Sequence, residues 1–355
     1  MRTTTFLIAA LMTAGALCAQ EKPADTPKDS GHAHHGGFMQ GGMHHAVAKG
    51  VKLEQKLDGQ TVTLRIGPIQ LPAHTFHRNI PQPPDLEWQI PFDGWLLAYH
   101  PRLVDAAGST VPGMVLHHTA FWNENRADFL CPNKEEHIFG AGSEMTDWAQ
   151  VPGYGYRVQM GDKIRIETMV HNPTDTSYDN VYLEVAIRYQ DAKGDARTPS
   201  PKNVYPAWMD VKSCGDSSYD LPAGKSERTG TVTVKYDGIL LGVGGHMHDY
   251  GRQVILEDAT RKETVAALDA QVDDQGHLQW MPVKTFYAAG GYKFSSGDVL
   301  KISATYDNTT GKLLRDGAMG IVVGYFVPAN DFVMAALRRK SKPASREMAG
   351  MSHDQ

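Results

Sequence analysis

The chain has 355 residues, is 41% hydrophobic and 21% charged, and carries a formal net charge of -5. This is a globular composition, long enough for one large or two medium domains. The slight acidic excess and the lack of a basic block argue against electrostatic binding to nucleic acid or to an anionic membrane surface.

The first expected element, residues 1–19, is a signal peptide. Arg2 gives it a positive start, residues 6–17 are an apolar stretch, and a small-residue exit ends at Ala19, where cleavage is expected. Leu17 is too bulky to precede a lipidated Cys18, and the segment is too short to span a bilayer. The mature protein is therefore expected to be exported, periplasmic or secreted, without a membrane span.

Residues 20–50 read as a disordered His/Met-rich tether. Five of the sixteen histidines, His32, His34, His35, His44 and His45, fall there with Met39 and Met43. Such a tract can capture Cu(II) through imidazole and Cu(I) through thioether, and so can serve as a copper donor. Residues 336–355 read as a disordered tail.

Between these ends the hydrophobic period is two. Val62, Leu64 and Ile66 alternate with Thr61, Thr63 and Arg65. The same alternation runs through Val181, Leu183, Val185, Ile187 and Tyr189, through Val232, Val234 and Tyr236, and through Leu300, Ile302, Ala304 and Tyr306. Turn signals such as Asp58-Gly59 and Ser296-Gly297 punctuate the runs, and long helical periodicity is missing. The fold is expected to be all-β, most simply sandwiches, with a polar boundary near 191–210 that separates domains at 51–204 and 205–335. An oxidising compartment permits Cys131 and Cys214 to pair; two separate buried thiols fit the sequence equally well.

Six residues carry the candidate chemistry. His246 and His248 alternate on one strand face and can chelate one metal, with Gly244, Gly245 and Gly251 leaving room around them. Adjacent residues on a regular strand point to opposite faces, so His117 and His118 reach one metal only where the strand ends or bulges. His171 closes a strand before the Asn172-Pro173 turn, and Met319 follows the Asp316-Gly317 turn. Taken singly, the histidines read at least as well as surface, core or hydrogen-bonded residues, and Met319 reads better as core packing. As a set they form an all-imidazole group and a mixed imidazole–thioether group, and a thioether suits copper and argues against zinc. His74, His77, His100, His137 and His277 have no paired context and read as structural or surface residues. Asp249, directly after His248, reads as a turn hydrogen bonder or as a carboxylate that orients a ligand imidazole.

The order His117-His118, His171, His246-Met247-His248, Met319 resembles the copper type II, ascorbate-dependent monooxygenases, the family of the peptidylglycine and dopamine hydroxylases, here as a bacterial-type exported member. The resemblance covers about residues 60–330. It implies two tandem jelly-roll-like antiparallel β-sandwich domains and two copper ions per chain. It implies that His117, His118 and His171 hold an electron-transfer copper, and that His246, His248 and Met319 hold the catalytic, oxygen-activating copper. The implied reaction is hydroxylation of a C–H bond in a small organic substrate, with dioxygen and an ascorbate-like reductant. A non-catalytic exported copper protein, for trafficking, buffering or sensing, is the alternative. Peptide-amidating members carry an Arg that binds the substrate carboxylate two residues before the His-x-His, where this chain has Gly244; Ile321 and Val323 replace their Asn and Tyr after the Met.

Overall fold

Alternating apolar residues produce sheets with one buried and one wetter face, and two such sheets bury their apolar faces against each other. The computed structural model describes residues 46–193 and 198–338. The expected signal peptide, the His/Met-rich run of the tether and residues 339–355 of the tail lie outside the described residues. The fold is all-β, built from antiparallel sheets with short 3-10 turns.

A six-stranded sheet runs in the order Lys52–Asp58, Thr61–Leu71, Tyr178–Asp191, Gly94–Val104, Tyr154–Val158 and Lys202–Asn203, with only the last pairing parallel. A four-stranded sheet faces it, in the order Leu86–Gln89, Lys163–Val170, Leu116–Ala127 and Glu135–Gly142. Their shared core holds Val62, Leu64 and Ile66 from one side and Phe121, Ile164 and Ile166 from the other. The expected strand parity is the buried one.

A second pair of sheets follows. One runs Tyr205–Asp210, Gly320–Pro328, Gly238–Met247 and Val283–Thr285, and the other runs Gly224–Thr233, Val299–Asn308, Gly251–Asp258 and Glu263–Asp269. Leu240, Val243 and Val322 meet Val254, Leu256, Leu300 and Ile302 between them. Val234 and Tyr236, expected to continue their strand, lie past its end at Thr233. Order also extends beyond the expected boundaries: the backbone of Ala48 donates to Gln82 at 2.8 Å, and the 3-10 segment Asp331–Leu337 runs into the expected tail. Among the described residues no helix is long and apolar enough to cross a membrane.

The two sandwiches are joined through the loop between Leu116–Ala127 and Glu135–Gly142. Its Phe129 and Leu130 insert into the second core, and Phe129 stacks on Phe326 at 5.0 Å. Asp128 Oδ1 accepts from the backbone N–H groups of Leu130 and Cys131 at 2.8 and 2.7 Å, which fixes the loop. Two buried apolar side chains of this size contribute roughly 3–6 kcal/mol. In the same loop Cys131 is disulfide-bonded to Cys214, which decides the question that the sequence left open. Nearby, His137 is stacked between Trp122 at 4.1 Å and Trp208 at 3.5 Å, with Trp208 from the first strand of the second sandwich.

The disulfide closes a long loop, with a sequence separation of 83. Replacing both cysteines with Ala should lower the unfolding free energy by about 2–4 kcal/mol. Urea denaturation of the oxidised wild type against the double variant measures it, and an unchanged midpoint would show that the plugged loop alone joins the sandwiches.

Candidate metal centre

The strand Leu116–Ala127 departs from regular pairing where the candidate histidines begin. Leu116 pairs with Val170 and His118 with Met169, so one extra residue is accommodated at His117. This β-bulge satisfies the condition under which adjacent histidines reach one place. His171 comes directly after Lys163–Val170, and its backbone N–H donates to Val115 at 3.1 Å, which ties it to the start of the bulged strand.

On the other side, His246 is the penultimate residue of Gly238–Met247 and pairs with Ile321, while Met247 pairs with Gly320. Carrying that register one step further sets His248 opposite Met319. Tyr306 holds this end of the ladder: its hydroxyl accepts from the backbone N–H groups of His248 and Met319, each at 3.0 Å, and donates to the Met319 carbonyl. Met319 is buried and lines a cavity together with His246 and His118.

The histidines of the two halves form one array. The His117 ring lies 5.0 Å from His118, 5.2 Å from His171 and 4.7 Å from His248, and the His248 ring lies 5.6 Å from His246. One ring nitrogen each of His117, His118 and His248 falls within 4.8 Å of the others, close enough to share an ion. The resemblance divides these residues three and three; the group within 4.8 Å takes two from the first sandwich and one from the second. The Nε2 of His248 is buried and has no hydrogen-bond partner.

Electrostatics keep these rings neutral. Burial, followed by the neighbouring His248, His118, His171 and His77, holds the His117 pKa well below that of a free imidazole. Burial and then His246, His77 and His171 push His118 down to about 3. Burial and then His246 and His118 hold His248 well below the ordinary value. Burial also lowers His171, partly opposed by the Asp249 carboxylate. Neutral imidazole is the form that offers a lone pair to a metal.

Two residues of this site were not singled out from the sequence. His77, read there as structural or surface, sits in a 3-10 turn with its ring 4.8 Å from that of His117. Glu144, just past Glu135–Gly142, reaches across from the first sandwich: its Oε1 lies 2.9 Å from His246 Nδ1 and accepts from the Gly142 backbone at 3.1 Å. A Cβ on Gly142 would stand 2.6 Å from Glu144 Oε2 and 2.8 Å from His246 Cε1, so this position must be glycine for the pair to close. A carboxylate on Nδ1 fixes the ring and leaves Nε2 as its donor. No spacing pattern marks either residue; their roles arise from how a loop and a strand end dock. Asp249 Oδ1 accepts from the Leu278 backbone at 2.9 Å, the turn role, while its charge also acts on His171. The remaining unpaired-context histidines pair with surface carboxylates, His74 with Asp175 at 3.0 Å, His100 with Asp147 at 3.1 Å and His277 with Asp273 at 3.2 Å.

Two curated relatives are named as copper-dependent oxygenases. The chain is 26% identical over 241 residues to the probable copper-dependent oxygenase M1 of a Phoma species, which spans 61% of this chain and 58% of that protein. It is 25% identical over 241 residues to the probable copper-dependent oxygenase clz3 of Cochliobolus lunatus, spanning 61% of this chain and 72% of that one. No family model matches the chain. Among solved structures, the STIV major capsid protein overlays on 81% of this chain and all of its own, with a TM-score of 0.35 and 9% identity, too distant to bear on fold or function.

The neutral state of the array has a cost in acid. A histidine whose folded pKa is depressed takes up its proton first in the unfolded chain, so its stabilising contribution is complete above the unfolded value near 6.5 and is lost as pH falls toward about 3. His118 alone should remove on the order of 4 kcal/mol over that window in metal-free protein. His118→Gln should flatten the decline, measured as urea midpoints from pH 7 to pH 4; parallel declines in variant and wild type would refute it.

Proposed function

We propose that this protein is an exported copper-dependent oxygenase, an oxidoreductase that hydroxylates a C–H bond of a small organic molecule using dioxygen and a one-electron reductant such as ascorbate. The observation that carries the reading is the group His117, His118 and His248: neutral donor nitrogens within 4.8 Å, beside a cavity, one of them buried without a hydrogen-bond partner. The names of the two relatives support copper and oxygen chemistry in the same direction.

The donor set fits the metal. Imidazole serves both copper oxidation states, and the thioether of Met319 favours Cu(I). By the resemblance His117, His118 and His171 would hold one ion and His246, His248 and Met319 a second, with His77 beside the first set; the approach of His248 to His117 and His118 brings a ligand of the second set among those of the first. Copper supplies reversible one-electron chemistry for the activation of dioxygen. The chain's own groups do the rest. Glu144 receives the Nδ1 proton of His246 in a hydrogen bond and fixes that ring. Burial keeps His117, His118 and His248 free of protons. Apolar walls around the cavity hold water away from the reacting C–H bond. The overall change balances as substrate C–H, dioxygen, two electrons and two protons giving C–OH and water, with both electrons from the reductant. We assign the His/Met-rich tract the delivery of copper to this array.

Copper loading of the mature chain, followed by ascorbate, dioxygen and a substrate panel, tests the reading. Two coppers retained after deletion of residues 20–45, with substrate-dependent oxygen uptake, is the expected result. Copper bound without turnover on any substrate would point instead to a trafficking or buffering protein, and no copper at the folded core would refute both the sites and the oxygenase.

Single substitutions sharpen this. Met319→Leu should weaken Cu(I) binding by about tenfold or more and abolish turnover. His74→Ala, at an exposed histidine paired with Asp175, should change neither. Unaltered activity in Met319→Leu would remove that residue from the ligand set.

A further inference from the structure

The cavity that touches His118, His246 and Met319 has a volume of about 260 Å³ and draws its walls from both sandwiches. Val243, Ile321 and Val323 of the second sandwich contribute apolar wall. Trp148 and Trp208 add aromatic wall, with ring centroids 5.8 Å apart, and Tyr325, on the same strand face as Ile321 and Val323, meets Trp148 edge-on at 5.6 Å. Among the described residues no Lys or Arg lines the cavity. It has two carboxylates: Glu144 Oε1 is held by His246 while its Oε2 is buried without a hydrogen-bond partner, and Asp147 lies on His100. An anionic ligand would therefore meet two carboxylates and no Lys or Arg, and an ammonium would exchange its whole hydration shell for the one unpartnered oxygen of Glu144. A buried charge without a partner is strongly disfavoured, whereas apolar surface gains from every wall.

We infer that the molecule taken up here is uncharged and predominantly apolar, a small hydrocarbon or aromatic compound that lies between Trp148 and Ile321 with the bond to be attacked toward His246 and Met319. The inference rests on the oxygenase reading for that last clause; the preference for an uncharged apolar ligand rests on the cavity alone. Gly244 is the position that can report on it. A Cβ there would meet only Val283 Cγ2, at an ordinary 3.6 Å, so a side chain can be added to the cavity wall without displacing backbone.

Calorimetric titration of the metal-free mature protein separates the two ideas, because it needs no copper. The probes are ethylbenzene, 3-phenylpropionate and 2-phenylethylammonium. Ethylbenzene should bind at least about tenfold more tightly than either charged probe. Gly244→Leu should weaken ethylbenzene about tenfold or more by filling the cavity, and Gly244→Arg should shift the preference to 3-phenylpropionate. Thermal melts of both variants should match the wild type. If a charged probe binds wild type as well as ethylbenzene does, or ethylbenzene does not bind, or its binding ignores a folded Gly244→Leu variant, the inference is overturned. Should both variants fail to fold, tryptophan emission decides: ethylbenzene must change the emission of wild type more than that of Trp148→Phe, in which Trp208 still lines the cavity, and equal changes overturn the placement. Copper uptake is measured separately on the same protein, so a failure here with copper bound removes the apolar class alone. Ethylbenzene binding without copper uptake removes the oxygenase and leaves the cavity.

Discussion

An imidazole can lie against other imidazoles away from water only while it is uncharged, and that constraint organises the middle of this molecule. His77, His118, His171 and His248 all crowd His117. Each ring lowers the proton affinity of its neighbours, on top of the larger effect of burial. The cluster is thus a set of neutral imidazoles, the form that can offer a nitrogen lone pair to a metal. A polar group buried without a partner costs free energy, so the two sandwiches must be held together firmly enough to bear it.

The means of holding them are visible at the seam. Phe129 and Leu130 leave the first sandwich and fill part of the second core, and the Cys131–Cys214 disulfide secures the same loop. Trp208 stacks on His137 from the other direction. Glu144 is the polar counterpart of these contacts, a carboxylate from the first half that orients a histidine of the second. The cavity lies along this seam, so the elements that stabilise the pairing also shape the space beside His118 and His246.

Much of this was legible from residue types and spacing. Strand parity is legible because the pleat sends alternate side chains to opposite faces, and Val62, Leu64 and Ile66 are buried as that rule requires. The donors of the candidate site were legible as chemistry, since imidazole and thioether recur near strand ends. The condition on His117 and His118 could be stated in advance, and the bulge between Leu116 and His118 meets it. His77 and Glu144 were not legible. A 3-10 turn brings the one to His117, and a short excursion past Gly142 brings the other to His246. Neither contact leaves a period or a motif, because both depend on where separate segments dock.

The sequence by itself determined an all-β chain, the kinds of metal donor it can offer and the lack of a cationic residue at Gly244. These follow from local sterics, side-chain chemistry and strand alternation, which act over a few residues. Only the tertiary structure decided that Cys131 and Cys214 pair, that one group of ring nitrogens joins His117 and His118 to His248, and that Glu144 stands behind His246. Those neighbours are far apart along the chain, and strand register, one bulge and the packing of two cores bring them together.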